Sequence, residues 1–258
     1  MATYSSSDSS RGWAVVTGAS SGIGAATARA LAAEGFRVLA CARRTDRLAD
    51  LADQVEGVEP WPLDVTDQAS VDALAEHLAD RVVSVLVANA GGSFDAAPIA
   101  EADLDSWSRT YEVNVVGTVR TVKALLPLLR ESGDGLIVVM SSTAGHVVYE
   151  GGGSYVAAKH AETSIAGTLR LELCGEPIRV SEIAPGMVRT DEFAVKRFGG
   201  NVERAAAVYE GVAEPLVAED IADVVAWVAT RPSYVNLDSI TIRPVAQAAQ
   251  HKVHRVVE

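Results

Sequence analysis

The chain has 258 residues, 48% hydrophobic and 22% charged, with a formal net charge of −12. That is enough apolar material for one sizeable core, and the wrong sign for a non-specific nucleic-acid or anionic-membrane surface, although a local basic site for a phosphate remains compatible with it. No apolar run approaches the length of a membrane span, and the polar, Ser-rich opening Met1–Arg11 lacks the basic-then-apolar order of a secretory signal.

The expected protein is therefore soluble and cytoplasmic, with a disordered tail over 1–11 and a single domain over 12–258. Beyond the tail, short β-branched runs alternate with Ala/Leu-rich segments. Strands are expected at Trp13–Thr17, Arg37–Ala42, Val58–Leu63, Val82–Ala88, Gly135–Met140, Ile178–Ile183 and Ser239–Arg243. Helices are expected at Ala25–Ala33, Arg47–Val55, Ser70–Asp80, Asp105–Leu129, Tyr155–Leu173 and Glu219–Thr230. Such alternation builds βαβ units, here a doubly wound α/β Rossmann fold whose seven-stranded, mostly parallel sheet has helices on both faces. Thr190–Leu216 carries no strand signal and reads as a helical lid or substrate loop before the last strand. Cys41 and Cys174 form neither a disulfide framework nor a metal-ligand set and read as packing residues, as do Trp13, Trp61, Trp107 and Trp227.

Between the first strand and first helix runs Thr17-Gly18-Ala19-Ser20-Ser21-Gly22-Ile23-Gly24. Glycines at a strand-to-helix turn let backbone N–H groups approach a dinucleotide pyrophosphate at the helix N-terminus. The spacing, Gly-x-x-x-Gly-x-Gly, differs from the general Gly-x-Gly-x-x-Gly fingerprint. About twenty positions on, where an acidic residue would hold a ribose 2′-hydroxyl, stands Ala42, followed by Arg43 and Arg44. Guanidinium forks there suit a 2′-phosphate, so the expected cofactor is NADP(H).

Tyr155 and Lys159 are four apart in an expected helix and project from one face. A nearby ammonium favours the phenolate and brings a tyrosine, ordinarily of pKa about 10, toward use as a proton donor and acceptor. Ser142 follows an apolar strand, at the end where open α/β sheets place ligands, and its hydroxyl can hold a substrate oxygen. His146 reads as a satisfied polar residue at the rim, because the Tyr/Lys pair already supplies the acid/base function.

Together, the Gly-rich turn, Asn89-Ala90-Gly91, Asn114, Ser142, Tyr155-x-x-x-Lys159 and Pro185-Gly186 resemble the short-chain dehydrogenase/reductase family across residues 12 to 246. The resemblance implies that Asp64 and Val65 flank the adenine and that Asn89, Ala90 and Gly91 support the sheet and the adenosine ribose. It implies further that Lys159 also holds the nicotinamide ribose and that Asn114 anchors a water relaying protons to Lys159. Pro185, Gly186 and Val188 would pack near the nicotinamide, with Thr190 near its carboxamide. Ala88 stands where the family usually has a second Asn, which leaves the role of Asn89 intact.

The distal third narrows the resemblance. Thr190-Asp191-Glu192-Phe193, Arg197-Phe198-Gly199-Gly200-Asn201, Ala218-Glu219-Asp220-Ile221-Ala222 and the ending Ile240-Thr241-Ile242-Arg243-Pro244-Val245-Ala246-Gln247 resemble the NADP-dependent serine/3-hydroxy acid dehydrogenase branch. The resemblance implies a homotetramer acting on small 3-hydroxy acids, serine-like alcohols or their carbonyl counterparts. The last strand is also similar to secondary-metabolite carbonyl reductases of the clavulanate-aldehyde type, which keeps a bulkier carbonyl substrate open. A dinucleotide-sensing binding protein without turnover would be expected to have lost Tyr155 or Lys159, and both are present.

Overall fold

The computed structural model describes residues 11–190 and 192–256; residues 1–10 of the expected tail, Asp191 of the expected substrate loop, and residues 257–258 lie outside the described residues. Seven strands form one sheet: β1 (Trp13–Thr17), β2 (Arg37–Ala42), β3 (Val58–Pro62), β4 (Val83–Ala88), β5 (Gly135–Met140), β6 (Ile178–Pro185) and β7 (Ser239–Ile242). Their order is β3-β2-β1-β4-β5-β6-β7, and every pairing is parallel. The chain winds outward from β1 to β3 and then crosses to β4 on the other side. The crevice outside the C-terminal ends of β1 and β4 is therefore the topological switch point where such sheets bind ligands.

Strands β1 and β5 are buried along their whole length, the continuous apolar pattern of a parallel sheet covered on both faces. Alternate side chains feed two cores. Ala14 and Val16 of β1 meet α1 (Gly22–Ala33), α2 (Thr45–Gln54) and α9 (Ala218–Ala229) through Leu31, Leu48, Ile221 and Val225. Trp13 and Val15 face the opposite way, where α3 (Gln68–His77), α5 (Gly117–Glu131) and α6 (Gly153–Glu172) contribute Leu74, Leu125, Leu129 and Ala166. Ala26, Ala218 and Ala222 let α1 and α9 pack closely.

The helix expected over Asp105–Leu129 is interrupted. It becomes α4 (Leu104–Tyr111), a π-helical turn at Glu112–Val116, and α5. Asn114 accounts for the break. Its Nδ2 donates to Thr110 O at 2.6 Å and to Gly92 O at 2.9 Å, while its Oδ1 accepts the Gly92 N–H at 3.1 Å. A side chain that takes the i−4 carbonyl competes with the backbone ladder, and an extra residue enters the turn.

The Thr190–Leu216 region holds two short helices, α7 (Phe193–Arg197) and α8 (Val202–Ala207), and a bridge between Val188 and Leu216 closes its base. Past β7 the chain turns into a small antiparallel hairpin, β8 (Gln247–Ala249) with β9 (Lys252–Val253), which the polar, unalternating sequence there did not announce. Two packing assignments need correction. Cys174 is exposed, because it falls just past the last turn of α6, whereas Cys41 is buried in β2. Trp227 lies on the outer face of α9, 47% exposed.

Candidate active site

The turn between β1 and α1 depends on its glycines. Gly18 adopts φ +70°, and a Cβ there would lie 2.9 Å from Ala90 Cα; Gly22 adopts φ +53°. A Cβ on Gly24 would press on the Gly18 carbonyl and lie 2.6 Å from Asn89 Nδ2. Asn89 ties the turn to the end of β4, its Nδ2 donating to Thr17 O at 2.8 Å. Thr17 Oγ1 in turn accepts the N–H groups of Asn89 and Ala90, each at 2.9 Å. The result is a bare backbone surface at the positive N-terminal end of α1, open to a pyrophosphate. The cradle thus fits a dinucleotide on its own geometry.

Arg44 braces that turn from the side. Its Nε and Nη2 donate to Ser20 Oγ at 3.1 and 2.9 Å, and Nη2 also donates to Ser21 Oγ at 2.9 Å. Its Nη1 lies 2.5 Å from Glu192 Oε1, which Arg47 Nη1 approaches at 2.7 Å, while Lys196 Nζ holds Oε2 at 2.6 Å. Partial burial pushes the Glu192 carboxyl up, but the Arg44 hydrogen bond and Lys196 outweigh it and draw it down to about 2. Nearby, Asp64 accepts the Thr66 N–H and hydroxyl at 3.0 and 2.7 Å. These bonds, with Arg43 and Arg120, hold its carboxyl below the usual range against burial. Val65 packs against Gly117, where a Cβ would come within 2.7 Å of Cγ2.

At the other end, Ser142 follows β5 and caps a short 3₁₀ turn at Thr143–Gly145, accepting the Ala144 N–H at 3.1 Å and donating to Pro185 O at 3.3 Å. Tyr155 and Lys159 rise from the first two turns of α6, and both are buried. The Tyr155 ring meets Phe193 of α7 edge-on at 5.3 Å. Lys159 Nζ donates to Met140 O at 2.8 Å, lies 5.6 Å from the Tyr155 ring centroid, and is 2.7 Å from Glu162 Oε2.

One cavity of about 580 Å³ joins the two ends. Every residue assigned to the site from sequence lines it except Asn114. With its side-chain amide committed to Gly92 and Thr110, Asn114 sits behind the wall and shapes the helix break and the Gly91–Gly92 segment. His146 is a satisfied polar residue, its Nε2 being 3.0 Å from Glu182 Oε1.

The structure brings to the site residues to which sequence reasoning gave no site role. Glu192 and Arg47 join Arg44, and Tyr149, Arg197 and Gln247 line the substrate end. Glu162 lies behind Lys159. Its spacing, three residues beyond Lys159, was a usable signal. Among the described residues, no cluster of metal-ligating side chains occurs and no helix is long and apolar enough to cross a membrane.

The short chain dehydrogenase family model matches residues 12–197. The chain belongs to the short-chain dehydrogenase family. It is 56% identical over 236 residues to an uncharacterised oxidoreductase of Mycobacterium tuberculosis, covering 92% of each chain. It is 37% identical over 245 residues to the NADP-dependent 3-hydroxy acid dehydrogenase of Salmonella typhimurium, covering 93% of this chain and 98% of that one. A solved structure, the closed form of serine dehydrogenase complexed with NADP+, superimposes with a TM-score of 0.88 at 33% identity, covering 95% of this chain and all of that one. Like its relatives, this short-chain dehydrogenase is an oxidoreductase.

Proposed function

We propose that the protein is an NADP(H)-dependent oxidoreductase acting on the hydroxyl or carbonyl carbon of a small 3-hydroxy acid, a serine-like alcohol or the related aldehyde or ketone. One observation carries the reading: a single cavity runs from the glycine turn and Arg44 to Ser142, Tyr155 and Lys159. The NADP-dependent 3-hydroxy acid dehydrogenase and the NADP+-bound serine dehydrogenase support the cofactor and the substrate class.

Gly18, Ser20, Ser21, Gly22, Ile23 and Gly24 would cradle the pyrophosphate, Arg44 with Arg43 the 2′-phosphate, and Pro185, Gly186, Val188 and Thr190 the nicotinamide end. When bound, NADP(H) supplies or accepts the hydride at the substrate carbon. In the oxidation direction Tyr155 takes the hydroxyl proton as the C–H electron pair leaves, and in reduction it returns that proton to the carbonyl oxygen. Ser142 Oγ donates to the same oxygen, and the Lys159 ammonium stabilises its developing negative charge.

Arg197 supports an acidic substrate. It lines the cavity from α7, donating to Tyr149 OH and to Gly151 O, each at 3.1 Å, while its buried Nε has no partner among the described residues. A guanidinium lining a reaction cavity fits a carboxylate. The aromatic side chains Tyr149, Phe193, Phe198 and Tyr209 line the same end and favour, as a second reading, a bulkier carbonyl compound.

Cytoplasmic residence and a homotetramer complete the proposal. Exposed apolar side chains at Tyr111 of α4, Val119 of α5 and Leu171 of α6 support self-association. A panel of 3-hydroxy acids, neutral alcohols and carbonyl compounds, followed by NADPH absorbance, tests the reading; turnover confined to NAD(H), or to none of the panel, would contradict it.

A further inference from the structure

The helix that carries Tyr155 and Lys159 carries a third ionisable group on the same stripe. Glu162 follows Tyr155 by seven residues and Lys159 by three, spacings that return to one helix face. Its side chain is 1% exposed and that of Lys159 6%, with Oε2 2.7 Å from Nζ. This close ion pair is the contact Oε2 makes, and no other donor reaches it among the described residues. Lys159 Nζ also donates to Met140 O at 2.8 Å.

A second buried carboxylate nearby is treated differently. Glu182, on β6, accepts Thr163 Oγ1 at 2.6 Å and Ser239 Oγ at 2.9 Å, with His146 Nε2 at 3.0 Å. Burial pushes its carboxyl up, but these partners hold it below the usual range. Glu162 has no such set. Burial drives its carboxyl upward and the Glu182 charge adds to that, while Lys159 opposes them, leaving it at about 7. Lys159, although burial works against its charge, is held above its ordinary value by Glu162, Tyr155 and Glu182.

A buried carboxylate is costly unless its charge is matched, and here the match is the ammonium that the reaction uses. We propose that Glu162 is a positioning residue that draws the Lys159 ammonium toward the Met140 end of the site and offsets part of the charge it presents to the reacting oxygens. The inference rests on the oxidoreductase reading above. The ionisable groups facing Glu162 are Lys159 on its own helix and Glu182 from β6, with Tyr155 beyond Lys159 and His146 behind Glu182.

The sign follows directly. With Glu162 ionised, the Lys159–Glu162 pair is neutral overall and gives little help to an oxygen that is shedding a proton. With Glu162 neutral, the pair carries one positive charge and favours that oxygen's anionic form. Seven residues of helical rise separate Glu162 from Tyr155 by about 10 Å, and a unit charge at that distance in an effective dielectric of about 20 moves an ionisation by about one pH unit.

The test is the pH profile of kcat for NADP+-dependent alcohol oxidation by the wild type, Glu162→Gln and Glu162→Met, with NADPH affinity and far-UV circular dichroism measured alongside. Glu162→Gln keeps the shape without the charge; Glu162→Met keeps the length and relieves the burial of a polar group, so it carries the test if the Gln variant does not fold. Either folded variant is expected to show the rising alkaline limb about one pH unit lower, giving up to about tenfold faster oxidation at a pH below that limb, with NADPH affinity retained. A limb that coincides with the wild type in a folded variant overturns the role of Glu162 while leaving the oxidoreductase reading intact. A wild type without NADP(H)-dependent turnover overturns both.

Discussion

Arg44 Nη1 lies 2.5 Å from Glu192 Oε1, a contact between the turn that would bind the cofactor and the loop that covers the substrate end. The same guanidinium grips Ser20 and Ser21. A 2′-phosphate would therefore compete with Glu192 for Arg44. Arg44→Ala should weaken NADPH binding by about ten- to a hundredfold, the worth of a lost charge-assisted hydrogen bond, and should weaken NADH binding less, because NADH shares the braced turn but lacks the 2′-phosphate. Glu192→Gln should tighten NADPH binding. Fluorescence titration of both nucleotides checks the pair, and equal affinity of the native protein for NADH and NADPH would contradict the cofactor assignment.

The same cluster sets an acid limit for the loop. The Glu192 carboxyl is depressed to about 2 in the folded chain, whereas an unfolded Glu titrates near about 4.3. The ion pairs therefore contribute in full above about pH 5, and that contribution is lost as the pH falls toward 2. Hydrogen-exchange protection of residues 192–216, taken relative to the intrinsic rate at each pH, should fall over that window in the wild type, and not in Glu192→Gln.

Much of this architecture was legible in the sequence, for identifiable reasons. The expected strand starts agree with the observed ones to within a residue, because central parallel strands such as Val83–Ala88 and Gly135–Met140 read as continuous apolar runs. The helix break at Asn114 was not legible, since the side chain that takes the Thr110 carbonyl is held in place by hydrogen bonds to Gly92, twenty-two residues away in sequence. Glu162 and Glu182 were missed because a glutamate on a helix or strand ordinarily faces water. Here burial is imposed by partners from elsewhere in the chain, Thr163 and Ser239 for Glu182 among them. For the proposed 2′-phosphate site the sequence offered both Arg43 and Arg44, and only the fold shows that Arg44 is bonded to Ser20 and Ser21.

Gly24→Ala should damage the cofactor turn selectively. The added Cβ meets the Gly18 carbonyl and Asn89 Nδ2, and backbone cannot swing aside as a flexible side chain would. Overpacking of this kind costs about 1–3 kcal/mol. Thermal denaturation should show a lower Tm, and NADPH titration a loss of affinity.

Arg197→Ala should separate the two substrate readings. If a substrate carboxylate uses this guanidinium, KM for 3-hydroxy acids should rise by about ten- to a hundredfold, while neutral alcohols and aldehydes keep their kinetics. Unchanged kinetics for hydroxy acids would favour the bulkier carbonyl substrate.

The most direct measurement is NADPH-dependent carbonyl reduction by Tyr155→Phe. The substitution removes the hydroxyl that exchanges a proton with the substrate oxygen, while the ring keeps its contact with Phe193 and the glycine turn is untouched. Turnover should fall by about 10²–10⁴-fold, the usual worth of a positioned acid, with NADPH affinity unchanged. A Tyr155→Phe enzyme that kept most of its carbonyl reduction would contradict the account.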